Sequence, residues 1–182
     1  MKKFELTSEF VTFLGKKLFR IKALVSFGDV KEGELGGLVE KEENLDQSGN
    51  AWVYGNARIS GDARVSGDAQ VSGNARVSGD AQVSGNAWVS GDAWVSGDAW
   101  VSGDARVQNC RDYSATSCFG SENRTTTFFR TKDGGISVRC GCFYGTLNEF
   151  REKVKERHGD SRLAKEYLML ADLMEFRLSK DE

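Results

Sequence analysis

The sequence lacks a surplus of charge of either sign. Its 182 residues carry 25 basic and 27 acidic side chains, which gives a formal net charge of -2. Binding of nucleic acid through bulk charge requires a basic chain, and mimicry of DNA requires an acidic one, so both classes are disfavoured. With 39% hydrophobic and 29% charged residues, the composition is that of a soluble folded chain.

Long apolar runs are also missing. No segment approaches the roughly 20 apolar residues that a membrane-spanning helix needs. The N-terminal stretch MKKFELTSEF lacks the apolar core of a secretion signal, because acidic residues soon follow its two lysines. We therefore expect a cytoplasmic protein without membrane association, whose four cysteines are thiols and not disulfides.

Proline is absent as well, whereas glycine occurs 21 times, and nine of these glycines belong to one repeated hexapeptide. Residues 50–107 repeat a word of the form Asn/Asp-Ala-x-Val-Ser-Gly, with an aliphatic residue at every sixth position from Val53 to Val107. An alanine lies two positions before each aliphatic residue, so both point to the same face of an extended strand. Gly-Asp and Gly-Asn pairs then turn the chain after strands of about four residues.

Strands this short bury little as hairpins, but they can stack as a parallel β-helix. Each strand then pairs with its equivalent one coil away, and alanine and valine fill a narrow interior. The spacing resembles the hexapeptide repeat of left-handed β-helices, in which three hexapeptides make a coil of about 18 residues. The resemblance implies a left-handed, mainly β fold. In such a coil, Asn and Asp at the turns form columns that allow amide ladders, for example Asn50 with Asp68.

The chain divides into three predicted parts. Residues 50–107 form the β-helix, and residues 1–49 form an N-terminal β cap, because terminal coils need cover. Residues 108–182 form a C-terminal α+β module, a hairpin plus two helices, for oligomerisation or docking. In the cap we expect strands at residues 3–6 and 18–24. We also expect a turn at Gly36-Gly37, and an end covered by Phe10, Phe13 and Phe19.

The C-terminal module shows clear local signals. Residues 125–130 and 136–143 are strand-like and are joined by a Lys-Asp-Gly-Gly turn. Thr146 and Glu149 form a capping box that starts a helix ending at His158-Gly159.

A second helix, from about residue 161 to residue 178, carries more apolar residues than one stripe needs. Four of them lie off its main apolar face, and we predict that they make the protein a homo-oligomer: Leu168, Met169, Leu173 and Phe176. Burial against the hairpin is the alternative.

Three tryptophans occupy the outward position of successive hexapeptides. In an 18-residue coil, Trp88, Trp94 and Trp100 lie on three different faces at one level. Arg106 would stack on Trp88, and Arg76 on Trp94. We predict that these five side chains bind a partner, since exposed tryptophan is costly without a use. The alternative is that the tryptophans have no binding role. They would then recur because the repeat was duplicated and tryptophan is favourable on a strand surface.

The arginines at outward positions do not favour nucleic acid. Arg58, Arg64, Arg76 and Arg106 are expected to lie in different columns, and nearby aspartates offset their charge. We therefore expect no nucleic-acid partner.

Metal or nucleophilic chemistry has few candidates in this sequence. Cys140-Gly-Cys142 would place two thiols on one face of a strand, where Cys118 or His158 could complete a zinc site. However, structural zinc sites usually show Cys-x2-4-Cys spacing. A nucleophilic pair would need one of these thiols beside the single histidine, His158. We predict neither a metal nor a catalytic site.

Two segments resemble phage-related sequences. The stretch RIKALVSFGDVKEGELGGLVEKEENLDQSGNAWVYGNA resembles the start of bacterial and prophage hexapeptide-repeat proteins that are often labelled transferases. The stretch GSENRTTTFFRTKDGGISVRCGCFYGTLNEFREKVKERHGD, with its CGCF-x-GT motif, is similar to a C-terminal module of prophage proteins. The resemblance implies a phage or prophage setting in a bacterial host, without an established activity.

Acyltransferases are frequent among the left-handed β-helices that this repeat resembles. Those enzymes use a histidine at a subunit boundary and a loop that leaves the coil to hold acyl-CoA. The coils here contain no histidine and no insertion between residues 50 and 107. We therefore predict a non-enzymatic protein without a cofactor, which binds a protein of the bacterial host. The favoured role is inhibition of a defence system (anti-CRISPR or other counter-defence) or of a regulatory protein. A structural or accessory phage component is the alternative, followed by an acyltransferase.

Overall fold

The computed structural model of the chain describes residues 2–179. Most hexapeptides contribute a strand of only two residues, and longer elements lie at both ends of the chain. A 3-10 helix at Glu42–Asn44 interrupts the first coil. The remaining elements are β1 (Phe4–Phe13), β2 (Lys16–Ala23), β3 (Leu35–Val39), β4 (Trp52–Val53), β5 (Arg58–Ile59), β6 (Arg64–Val65), β7 (Gln70–Val71), β8 (Arg76–Val77), β9 (Gln82–Val83), β10 (Trp88–Val89), β11 (Trp94–Val95), β12 (Trp100–Val101), β13 (Arg106–Val107), β14 (Tyr113–Phe119), β15 (Arg124–Arg130), β16 (Ile136–Cys140), β17 (Phe143–Thr146), α1 (Leu147–His158) and α2 (Arg162–Leu178).

The short strands form the three faces of a parallel β-helix. The first face contains β3, β5, β8 and β11, the second β6, β9 and β12, and the third β4, β7, β10 and β13. Paired residues of adjacent coils are 18 positions apart, as in Val53 beside Val71. The predicted parallel β-helix is therefore confirmed, while its left-handedness stays a prediction.

The alanine and valine of each repeat line the interior, as predicted. From Ala51 and Val53 to Ala105 and Val107, these side chains are at most 1% exposed. Removal of their methyl groups from water is the main favourable term of the β-helix. The backbone is satisfied between coils, for example by the Ser72 N–H, which donates to the Val89 carbonyl at 2.9 Å.

Amide ladders stabilise the mixed turn columns, as the 18-residue register predicts. In each ladder an asparagine Nδ2 donates to an aspartate Oδ1 one coil away, which replaces the repulsion of two stacked carboxylates with a hydrogen bond. In the column without asparagine, Lys41 pairs with Asp62 at 2.6 Å. The asparagine pairs are Asn50–Asp68 at 2.8 Å, and Asn74–Asp92 and Asn86–Asp104 at 3.2 Å.

The N-terminal segment covers the first coil differently from the prediction. Strands β1 and β2 form an antiparallel hairpin that extends the first face; they overlap the predicted strands but are longer. Phe4 and Phe27 pack edge-on against Trp52, with ring centroids 6.2 and 5.4 Å away. The prediction that Phe10, Phe13 and Phe19 cover this end was wrong, because the core cluster contains none of them.

The predicted turn at Gly36-Gly37 was also wrong, since both residues lie inside β3. Glycine is required at these positions because atoms of neighbouring strands pack directly against the backbone. A Cβ atom on Gly36 would come within 2.6 Å of Ile21 Cγ1, and one on Gly37 within 2.5 Å of Val53 Cγ1. A side chain at either position would therefore separate the cap from the first coil.

The C-terminal module is an antiparallel sheet of β14, β15, β16 and β17, which packs against α1 and α2. The capping box at the start of α1 is confirmed, because the Glu149 N–H donates to Thr146 Oγ1 at 3.2 Å and the Thr146 N–H to Glu149 Oε2 at 2.7 Å. The hydrogen bond from the Thr146 backbone lowers the pKa of Glu149. Strand β14 was not predicted. Within residues 2–179, no helix is both long and apolar enough to cross a membrane.

The C-terminal sheet also closes the last coil of the β-helix. Phe129 of β15 is fully buried in the same cluster as the inward valines. The Lys132 N–H donates to the Asp104 carbonyl at 3.0 Å, and Arg130 pairs with the buried Asp112 at 3.6 Å. The last coil edge is thus covered and not left open for further strand pairing.

The stacking of turn glycines gives a matched test of the fold. Gly85 and Gly97 have the same φ of 67°, but a Cβ atom on Gly85 would lie 2.8 Å from the Gly103 nitrogen, whereas one on Gly97 would meet nothing within 4 Å. We expect either alanine variant to lose about 1–2 kcal/mol through backbone strain. Gly85→Ala should lose about 1–3 kcal/mol more, because the coils must separate.

Urea unfolding followed by circular dichroism measures both losses, with Gly97→Ala as the control for strain alone. Equal losses in the two variants would contradict tight stacking of the coils at this column.

Candidate functional site

Three tryptophans encircle the β-helix at one level, as the repeat arithmetic predicts. Trp88 lies on the third face between Gln70 and Arg106. Trp94 lies on the first face beside Arg76, and Trp100 lies on the second face. A flat partner surface therefore cannot contact all three rings.

Trp88 and Trp94 are exposed, and their rings are held in place. Their side chains are 45% and 47% exposed, yet each indole N–H donates to a serine hydroxyl at 3.2 Å, Ser72 for Trp88 and Ser78 for Trp94. The predicted arginine contacts are present too. The Arg106 and Arg76 guanidinium carbons lie 5.7 and 5.9 Å from the centres of the two rings. These contacts form two pairs, Trp88–Arg106 and Trp94–Arg76.

Trp100, which was also predicted to bind a partner, is only partly exposed because the C-terminal sheet contacts it. The Arg139 guanidinium of the C-terminal sheet lies 3.6 Å from the centre of its ring. Its backbone N–H donates to Thr127 Oγ1 at 3.0 Å, and its indole N–H donates to Ser84 at 3.2 Å. Trp100 therefore joins the β-helix to the C-terminal module.

The first face carries a ladder of cations and aromatic rings that the sequence analysis missed. The Phe13 ring lies 4.6 Å from the Arg58 guanidinium and 4.9 Å from that of Arg76, which also contacts Trp94. The expectation that Arg58 and Arg76 lie in different columns was wrong, because they are direct neighbours in adjacent coils. The 18-residue register could have revealed the column, but not Phe13.

Trp88 and Trp94 flank one edge of the prism, the turn at residues 90–92. The two side chains and this turn define what we call the Trp88–Trp94 edge. Asp92 at the turn is held by Asn74 at 3.2 Å. Beyond Trp94 the surface continues into a shallow depression lined by Tyr113 and Arg177 of the C-terminal module. The Tyr113 hydroxyl donates to the Trp94 carbonyl, and burial raises the pKa of Tyr113.

Helix α2 presents a second apolar surface. Met169 is 72% exposed, Leu173 56% and Phe176 85%, and they lie on one stripe of the helix. Leu168 differs from the prediction, because it is partly buried against the core of the C-terminal module. We call the three exposed residues the α2 stripe.

The thiols are arranged differently from the prediction. Cys140 ends β16 and Cys142 lies in the following turn, so they do not share a strand face. Gly141 adopts φ of 57° at the first turn position, where a type II′ hairpin turn requires glycine. Cys118 is exposed on β14, and within residues 2–179 no cluster of three metal-ligating side chains exists.

The lone histidine lies outside the β-helix. His158 ends α1 and stacks on Tyr167, with ring centroids 5.6 Å apart. The ring therefore belongs to the packing of the C-terminal module. The structure places it in a cleft with Cys140 and Cys142, which is described below.

Comparison with known proteins agrees with the coil geometry. A family model for the YdcK beta solenoid repeat matches residues 57–69, 69–83 and 81–97. These matches lie within the stacked coils, so the middle of the chain is a β-solenoid repeat. A search of the curated proteins found no match.

The contrast between covered and open tryptophans can be measured. We expect Trp100→Ala to lower the free energy of unfolding by at least about 1 kcal/mol more than Trp94→Ala, because it removes a partly buried contact with Arg139. Chemical denaturation of the two variants provides the comparison. A loss for Trp94→Ala as large as that for Trp100→Ala would show that Trp94 is a structural residue.

Proposed function

We propose that the protein is a non-enzymatic binding protein whose Trp88–Trp94 edge engages a protein partner. The single observation that carries this proposal is that two half-exposed indoles are fixed before binding by Ser72 and Ser78. Side chains already held in one rotamer lose little entropy in a complex. Tryptophan and arginine are also the residues that contribute most often to protein–protein binding.

The charge of the prism favours a protein partner over nucleic acid. Carboxylates occupy the turns along its edges, including Asp92 beside the two tryptophans and Asp80 on another edge. A phosphate backbone that follows an edge would meet these groups. The adjacent Arg58 and Arg76 are engaged by Phe13, so they add no open basic surface.

The biological setting rests on sequence resemblance. Residues 18–57 and 120–160 resemble prophage proteins, which favours a phage or prophage protein acting in the cytoplasm of a bacterial host. In that setting a rigid binding protein fits an inhibitor of a host defence system, anti-CRISPR or other counter-defence, or of a host regulatory protein.

Self-association through the α2 stripe completes the proposal. Glu166 and Arg177 lie on one flank of the stripe, and Lys165 lies on the other together with Asp172, which also pairs with Arg151 at 2.7 Å. In an antiparallel pair of helices, the N-terminal half of one stripe lies beside the C-terminal half of the other, so each flank brings a base to an acid. A second copy of the chain therefore matches both the apolar and the charged pattern.

The partner proposal is tested by affinity purification. A protein that binds the edge should be retained from bacterial lysate by the native chain and lost with the double variant Trp88→Ala/Trp94→Ala. With the purified partner, the double variant should bind at least about 30-fold more weakly, because even one central tryptophan contributes about 2 kcal/mol or more.

Gln82→Ala is the matched control, since Gln82 is exposed at the same repeat position on the second face. Equal retention by the double variant would contradict the proposal. Copurification with virions would indicate a particle component instead. Binding of acetyl-CoA that is lost in His158→Ala would indicate an acyltransferase.

Self-association is tested by sedimentation over a range of concentrations. Phe176→Glu should weaken the dimer at least about tenfold, because it buries a charge in the apolar contact.

Leu14→Glu is the control, since Leu14 is 78% exposed but lies in the β1–β2 turn. A native chain that remains monomeric at high concentration, or a dimer unaffected by Phe176→Glu, would contradict the α2 contact.

A further inference from the structure

A cleft lies between the β16–β17 turn and the two helices. Its floor is formed by Phe150, Val154 and Tyr167, which are only 3–6% exposed. Cys140 at the end of β16 and Cys142 in the following turn also line the cleft. The cleft is open to solvent on one side and has a volume of about 110 Å³, which suits a compact aromatic or branched aliphatic group more than a long chain.

The apolar walls of this cleft are preformed. Phe150 packs against Phe143 and Tyr167, with ring centroids 5.6 and 5.8 Å away, and His158 stacks on the other side of Tyr167. The Tyr167 hydroxyl accepts a hydrogen bond from the Ser121 N–H at 3.2 Å, which fixes the ring. A ligand would therefore enter without reorganisation of the core.

The rim of the cleft carries more positive than negative side chains. Arg124, Lys153 and Arg157 line it against one carboxylate, Glu122. Arg124 is 3.9 Å from Glu122, and Lys153 pairs with Glu156 outside the cleft. Within the described part of the chain, no carboxylate lies within 4.0 Å of the Arg157 guanidinium.

We infer that this cleft binds a small carboxylic acid whose other end is a compact aromatic or branched aliphatic group. The apolar group packs on Phe150 and Val154, and the carboxylate meets Arg157 at the rim. A planar guanidinium can bind a carboxylate through two hydrogen bonds, which orients the ligand in the cleft. This site is separate from the Trp88–Trp94 edge and does not depend on the proposed function.

Phenylacetate is the probe, and uncharged phenylacetamide, which has the same ring, is its control. Calorimetry should show phenylacetate binding in the millimolar range or tighter. Phenylacetamide should bind at least about fivefold more weakly, and Arg157→Gln should reduce phenylacetate binding by a similar factor. Arg162→Gln, an exposed arginine outside the cleft, should leave binding unchanged.

Alkylation of the thiols by iodoacetamide, read by mass spectrometry, locates the ligand. Phenylacetate at ten times its Kd should slow alkylation of Cys142 at least about twofold, because the bound ligand covers part of this exposed residue at the cleft. Cys110 is exposed outside the cleft and should react at an unchanged rate. Undetectable binding, equal binding of phenylacetamide, or equal protection of both cysteines would overturn the inference.

Discussion

The close stacking of one coil on the next is the constraint on which this molecule depends. Turn glycines of adjacent coils approach so closely that a Cβ atom on Gly61 would lie 3.0 Å from the Gly79 carbonyl oxygen. That separation lets backbone groups of successive coils hydrogen-bond, and the interior is filled by small aliphatic side chains, mainly alanine and valine. Glycine at the turns and alanine inside are therefore two consequences of the same spacing, and the outward position is left free to vary.

The two ends of the chain determine which tryptophans at the outward repeat position are exposed. Trp52 is fully buried under Phe4 and Phe27, and Trp100 lies under Arg139, although both occupy the same repeat position as Trp88. The repeat places an indole at each of these positions. Contacts with the N-terminal hairpin or with the C-terminal sheet then determine whether that indole is covered or exposed. Trp88 and Trp94 remain exposed where neither end covers them, and for this reason the proposed partner contact is assigned to these two residues.

The repeat region could be predicted from sequence because its contacts recur at a fixed separation of 18 residues. The same arithmetic placed Trp88, Trp94 and the amide ladders, and the helical period placed all three residues of the α2 stripe, although it also included the partly buried Leu168. Contacts that do not recur at a fixed separation could not be predicted from these periods. Nothing in the spacing relates Trp100 to Arg139, and a Gly-Gly pair is usually a turn unless Ile21 and Val53 are known to press on it. The cleft was missed for the same reason, since four distant segments form it.

Because the three faces of the β-helix are equivalent, the number of hexapeptides sets the orientation of the C-terminal module relative to the N-terminal hairpin. Addition or removal of one hexapeptide would advance the coil by one face and turn the C-terminal module by about 120° relative to the N-terminal hairpin. A change of 18 residues would restore the orientation and alter only the distance, by about 4.8 Å. Duplication within such a gene can thus change the distance between the two ends in steps of 18 residues. In steps of six residues it changes their relative orientation.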